Sequence, residues 1–442
     1  MNVVRVVAVL AELRNVDAVG VLQVAMLCRL AGLPLVGPCN LEMILQGAVF
    51  YSLPEAAYAG EELCHLDTHL EILVGVYPGD QSWKDQTKID NVNICSIVMT
   101  IMEGLNEGIE DIYAPDGRLL FLGMRTFSER VLQRKGCFVC GGTESVSQPV
   151  NYEHVIPNWL IRHTDISDER LILANGAQVL YGQHKLVICA KCNSSLALAY
   201  EDKISIHLKK GYADFREFFE NGGYLLTYQW LCLLLIKLLL KDNQLRWDLD
   251  RRSGRVHTIG DMYEWHRHHH LLCVARSGPE HVIFDRLSLG SVFVLKAKEV
   301  VPFDLSTAPL VNGIRIQVGD VVLIGMLDDA QFVSSQFCDL ERPFPVEMDR
   351  IQLTEFFVRT VTLSEHLNPR PKLYTDLNSG SPIIRVVRPR EVTFLNLDEH
   401  AKLVGERMHE SLSRSGLLES VPDSIRLFIS KGEWTFFPEA LG

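Results

Sequence analysis

Apolar residues recur near every 3.6 positions in the first quarter of the chain. "VLQVAMLCRLAGLPLV" and "NVNICSIVMTIMEGLNEGIEDI" predict helices, the first broken by Pro34, Gly37 and Pro38. The pattern then shortens: "YAPDGRLLFLGM" predicts two short strands about a turn at Pro115-Asp116-Gly117. The stretch from Gly211 to Trp247 predicts two helices separated by Asn221-Gly222-Gly223. Within it, Tyr224 to Leu240 is apolar almost throughout. It falls just short of a membrane span and carries Gln229 and Lys237, so it reads as a buried core helix. From Val282 to Val387 the texture is β-branched and alternating, with Gly and Pro punctuation, which predicts a β-rich domain. "LDEHAKLVGERMHESLSRSG" predicts an amphipathic helix with Glu399 and Arg407 on its polar side and Asp398 placed to cap it. The expected organisation is α+β and multidomain. It comprises a mostly helical region 1–130, a cysteine-paired segment 131–210, a helical region 211–275, a β-rich domain 276–390 and a helical tail 391–442.

A chain of 442 residues with 47% hydrophobic and 22% charged residues can bury a sizeable core without disulfides. Its net charge of −12 is unevenly spread. Residues 1–130 hold 8 Lys+Arg against 17 Asp+Glu, residues 131–210 hold 9 against 7, and residues 211–442 hold 26 against 31. Only the middle segment is not acidic. That permits a nucleic-acid site there without arguing for one, since such proteins usually show a stronger basic footprint. Seven of the 11 cysteines are scattered, which points to free thiols in a reducing compartment. The short apolar run at the N-terminus meets Glu12 too soon for a secretory signal. A cytoplasmic protein without a membrane partner is expected.

The other four cysteines carry chemistry. Cys137-x-x-Cys140 and Cys189-x-x-Cys192 have the spacing of two zinc knuckles, each placing two sulfurs on one ion to complete a tetrahedral four-thiolate site. Such a closed site is structural. The 48 residues between the pairs must form structure of their own, and they contain Glu153-His154-Val155-Ile156-Pro157; Asn193 directly follows the last cysteine. Pro157 and Trp159 read as a turn and a core aromatic, and His163 and His207 as incidental. The run "MYEWHRHHHLLC" holds His266, His268, His269 and His270. Immediate neighbours do not share a helix face, so a partly exposed helix or strand end is expected rather than a metal site.

From Cys137 to about Leu208 the sequence resembles the HNH endonucleases of the His-Me finger (ββα-metal) superfamily. Glu153-His154-x-x-Pro157 matches the family's Asp/Glu-His-x-x-Pro, and Cys189-x-x-Cys192-Asn193 matches its second knuckle. The resemblance implies a zinc-stapled ββα-metal core between a helical N-terminal and a β-rich C-terminal region. It implies that His154 is the general base, with Glu153 and Asn193 ligands of a catalytic Mg2+ or Mn2+. His184, five residues before the third cysteine, takes the central position that orients the imidazole. Asparagine is commoner there. Glu201 lies about two turns along the following helix and is a further candidate for the metal shell. Asn193 could also serve as a helix cap. The residue types suit phosphodiester hydrolysis, which needs a proton acceptor near neutrality and a hard cation facing the phosphate.

Two functions are compatible with these residues. The first is a metal-dependent endonuclease, with DNA as substrate by family analogy, in a restriction or anti-phage defence role. Its flanking regions would select the target, alone or through a partner protein or a second copy. The second is a zinc-stabilised module that binds nucleic acid or protein without cutting. Glu153, His154 and Asn193 discriminate them, because a pure binding module has no use for that triplet. RNA as substrate stays open.

Overall fold

A computed structural model describes residues 110–436 apart from 146–148, 250–256, 277, 279–281, 339–346, 378–380, 390–391 and 394–396. The helices expected before Glu110 lie outside the described residues. Residues 110–442 group as one compact unit, so the boundary falls near 110 rather than 130. The reason is packing: Leu122, Phe127 and Val131 share one hydrophobic core with the cysteine-paired segment and with the apolar helix C-terminal to it.

The unit opens with strands β1 (Ile112–Tyr113) and β2 (Leu119–Phe121), paired antiparallel about Gly117 at φ +79°. Strand β3 (Val150–His154) and helix α1 (Asn158–Thr164) follow, with Pro157 at the helix N-cap. A small hairpin, β4 (Arg170–Ile172) and β5 (Gln178–Leu180), leads into β6 (Lys185–Cys189). Strands β3 and β6 pair antiparallel, with Glu153 opposite Leu186 and His154 opposite Lys185. Helix α2 (Ala190–Leu196) runs through a π-helical turn, Ala197–Glu201, into α3 (Asp202–Leu208).

Helices α4 (Tyr212–Phe218) and α5 (Tyr224–Asp242) are separated by a break at Asn221-Gly222, where Gly222 takes φ +105°. Helix α5 is apolar on all sides, and a helix of that kind must be surrounded. Here it is: every residue from Leu226 to Leu240 is buried. By length and composition Tyr212–Asp242 could cross a membrane, yet its apolar part, α5, is a buried core helix here, as expected for Tyr224–Leu240. Its polar side chains are used internally. The Tyr228 hydroxyl donates to the Leu327 carbonyl and the Gln229 amide to the Val274 carbonyl, each at 2.9 Å.

Helix α6 (Trp265–Ala275) contains the histidine run. His266 is exposed and His270 half-buried while His268 and His269 are buried, so the run lies on a partly exposed helix, as expected, with one side turned into the core. His269 Nε2 sits 2.7 Å from the Leu122 carbonyl, tying β2 to α6. Burial lowers His268, His269 and His270 each to about 4, so all three are neutral in the folded protein. Unfolded histidine titrates near ~6.5. The unfolded chain therefore takes up protons that the folded chain refuses as pH falls from ~6.5 towards 4, and stability present above that window is lost within it. The melting temperature is expected to fall between pH 7 and 4.5. A His269→Gln variant, which keeps an N–H donor for Leu122, should show a shallower fall by calorimetry. An identical slope would remove His269 from the linkage.

Strand β7 (Ile283–Phe284) precedes a long antiparallel ribbon, β8 (Ser291–Ala308) and β9 (Gly313–Met326). Helix α7 (Phe332–Cys338) and helix α8 (Arg350–Glu365) follow. The segment expected to be β-rich is thus mixed. Only the end of β9, residues 321–326, is apolar without interruption, because both of its faces are covered. Ile314, Ile316 and Leu323 face the α5 core, while Val322, Ile324 and Met326 face α8. A two-stranded ribbon is marginal alone and needs this enclosure. Strands β10 (Lys372–Asp376) and β11 (Ile383–Val387) complete a three-stranded sheet in the order β10-β11-β7. The tail is helical as expected: α9 (Leu397–Arg414) and α10 (Asp423–Lys431) pack on α8 through Val404, Met408, Leu412 and Val358. Asp398 lies within the first turn of α9 rather than ahead of it.

Candidate active site

The first knuckle turns tightly. The Cys137 N–H donates to the Gly142 carbonyl and the Gly141 N–H to the Cys137 carbonyl, both at 2.8 Å. Gly141 is required here. Its φ is +66°, and a Cβ would stand 2.3 Å from Thr126 Cγ2. The knuckle docks on β6 through the Phe138 N–H and the Val187 carbonyl, 3.1 Å apart. The second knuckle is the junction of β6 and α2. Cys189 ends the strand and caps the helix, its Sγ accepting from the Cys192 N–H at 3.4 Å. Helix α2 therefore starts at Ala190, directly after the strand. Asn193 lies inside its first turn, which excludes the capping role for Asn193.

All four sulfurs lie within 4.8 Å of one another, and Cys140 Sγ and Cys189 Sγ are 4.0 Å apart. Tetrahedral zinc with Zn–S bonds of about 2.3 Å requires sulfurs about 3.8 Å apart. Hydrogen bonds from Cys137 and Cys192 lower the Cys140 thiol, and the same contacts raise Cys137 and Cys192: sulfurs this close compete for one negative charge, which a metal ion would compensate. The cluster fits a structural metal ion such as zinc, and it is the one such group among the described residues.

Strand alternation separates Glu153 from His154. Glu153 shares the inner face of the hairpin with buried Leu186 and Ile188, and His154 shares the outer face with Lys185. The His154 imidazole is half-buried, near enough to the Gly182 backbone for it to favour the protonated ring slightly. Burial, then Lys185, holds it below the usual histidine range.

On the inner face a third element enters. Lys237, from the middle of α5, brings Nζ to 2.9 Å from Glu153 Oε1 and 3.9 Å from Glu201 Oε1. The lysine is 1% exposed, and the carboxylates are 14% and 15% exposed. Glu201 reaches this point from the π-helical turn, where the Asp202 N–H bonds back to Ala197. Burial pushes its carboxyl up against the pull of Lys237. Glu153 and Glu201 are thus brought together, as the sequence led us to expect, but around an ammonium. Two carboxylates converging on one positive charge are the donor chemistry of a hard cation. Asn193 is half-buried and its amide makes no hydrogen bond to a described residue.

His184 does not orient His154. Its side chain is buried against Asp242, with Nε2 3.8 Å from Oδ1, and neither ring nitrogen has a hydrogen-bond partner among the described residues. Its backbone does serve the hairpin, the carbonyl accepting from the Val155 N–H at 2.8 Å. Burial, then Lys241 and Arg134, lowers its imidazole to about 4. His207 is structural: Nδ1 is 2.6 Å from Asp214 Oδ1 and the ring stacks on Phe218.

No family model, curated protein or solved structure matches this chain. The residue that sequence reasoning missed is Lys237. Its signal was present, since a lysine inside an apolar helix must find an acid. Nothing in the sequence said which acid.

Proposed function

We propose that residues 131–210 are the catalytic core of an HNH-type endonuclease that hydrolyses phosphodiester bonds, with DNA as the substrate. The observation that carries this reading is the order of parts. A strand bearing Glu153-His154 pairs with a strand that ends in a metal knuckle, and a helix bearing Asn193 and leading to Glu201 follows. In this reading the His154 imidazole accepts a proton from the attacking water. Glu153, Glu201 and Asn193 would hold the catalytic Mg2+ or Mn2+, which when bound supplies charge compensation for the phosphate. The thiolate-bound zinc keeps β3, β6 and α2 in register. A reducing, cytoplasmic setting suits the free thiols Cys232 and Cys273. A restriction or anti-phage role, exercised through a partner protein or a second copy, is the biological setting proposed.

One observation favours a second reading, a non-cutting nucleic-acid or protein-binding module: Lys237 already balances Glu153 without a metal. The test is plasmid cleavage by the zinc-loaded full chain with Mg2+ or Mn2+ added or omitted. Metal-dependent nicking is expected. Retention of plasmid binding without any nicking would select the binding module.

A further inference from the structure

Lys237 is costly where it stands. An apolar side chain would pack in α5 with no charge to compensate, and a buried ion pair seldom adds net stability over such a replacement. The lysine cannot swing into solvent, because α5 is enclosed along its length. The two carboxylates come from separate elements, β3 and the turn before α3, and are the more accessible side of the cluster. The ammonium therefore plugs the cluster from beneath, while the oxygens are reached from outside. Charge decides what can enter. Two carboxylates and one ammonium leave a single negative charge. A dication alone overshoots to a single positive charge, and a phosphodiester arriving with it restores neutrality.

We infer that Lys237 is an internal counter-ion that competes with a divalent cation for the Glu153 and Glu201 oxygens, so that the cation is held firmly only together with a phosphodiester. This rests on the cation-site part of the nuclease reading. By linkage, each ligand strengthens the other by the same factor.

The experiment is Mn2+ binding to the zinc-loaded full chain, read by the electron paramagnetic resonance of free Mn2+, with and without a short phosphorothioate oligonucleotide. Wild type should bind Mn2+ weakly alone and more tightly with the oligonucleotide. Lys237→Met should bind Mn2+ alone roughly tenfold or more tightly than wild type, since one unit of repulsion near a dication is removed. Mn2+ affinity unchanged or weakened in Lys237→Met overturns the inference. Should the variant fail to fold, the wild type offers a direct readout. The buried ammonium of selectively labelled lysine gives a 1H–15N signal that Mg2+ with oligonucleotide should shift, and an unmoved signal at saturating ligand overturns the inference equally. The two proposals fail separately. Nicking by wild type with no gain of Mn2+ affinity in Lys237→Met sinks only the counter-ion. A gain of affinity without nicking by wild type sinks only the nuclease.

Discussion

Cys189→Ser is expected to strip the metal from the protein and melt the β3–β6 hairpin. Three roles meet in that thiol. It is one of four clustered sulfurs, it ends the strand opposite Val150, and it caps α2 through the Cys192 N–H. Serine can replace the cap but is a poor ligand for a soft site. Zinc-finger peptides owe about 10–16 kcal/mol of apparent free energy to their ion at neutral pH. Here the hairpin also packs on α5, so the loss should be smaller and local to the hairpin. Zinc content measured beside thermal melting checks this, with Cys273→Ala, a buried thiol outside the cluster, as the control. Full zinc occupancy in Cys189→Ser would count against a four-thiolate site.

His154→Ala should reduce cleavage by about a hundredfold to ten-thousandfold, the usual worth of a positioned general base. Zinc content and melting temperature should stay near wild type, because the imidazole lies on the outer face of the hairpin and is only half-buried. Glu153→Ala makes the contrast. It removes the 2.9 Å partner of a fully buried ammonium and should lose stability as well as activity. The pair of variants thus separates chemistry from architecture. Activity retained by His154→Ala under conditions where wild type cuts would remove His154 from the reaction.

What the sequence made legible was local. The knuckles and the Pro115-Asp116-Gly117 turn are read from neighbours a few residues apart. The helix break at Asn221-Gly222-Gly223 was legible for the same reason, since glycine supplies a backbone conformation that others resist. What stayed hidden was set at long range. Residue 237 is 84 positions from Glu153, and a helix apolar on every side offers no face from which to infer a neighbour. The covering of residues 321–326 of β9 on both faces likewise removed the alternation there, so the sequence did not show that helices enclose the ribbon. His184 occupied the expected position in the chain, yet its side chain answers to Asp242, and no motif records that.

Helix α5 also bears on heredity. It supplies Lys237 to Glu153, Lys241 to the Lys185 carbonyl and Asp242 to His184, three attachments to a hairpin encoded far upstream. A gene fragment covering only 131–210 would carry carboxylates with no ammonium and a bare apolar flank. The proposed cutting element is therefore not a cassette that recombination can lift out and graft onto another recognition domain.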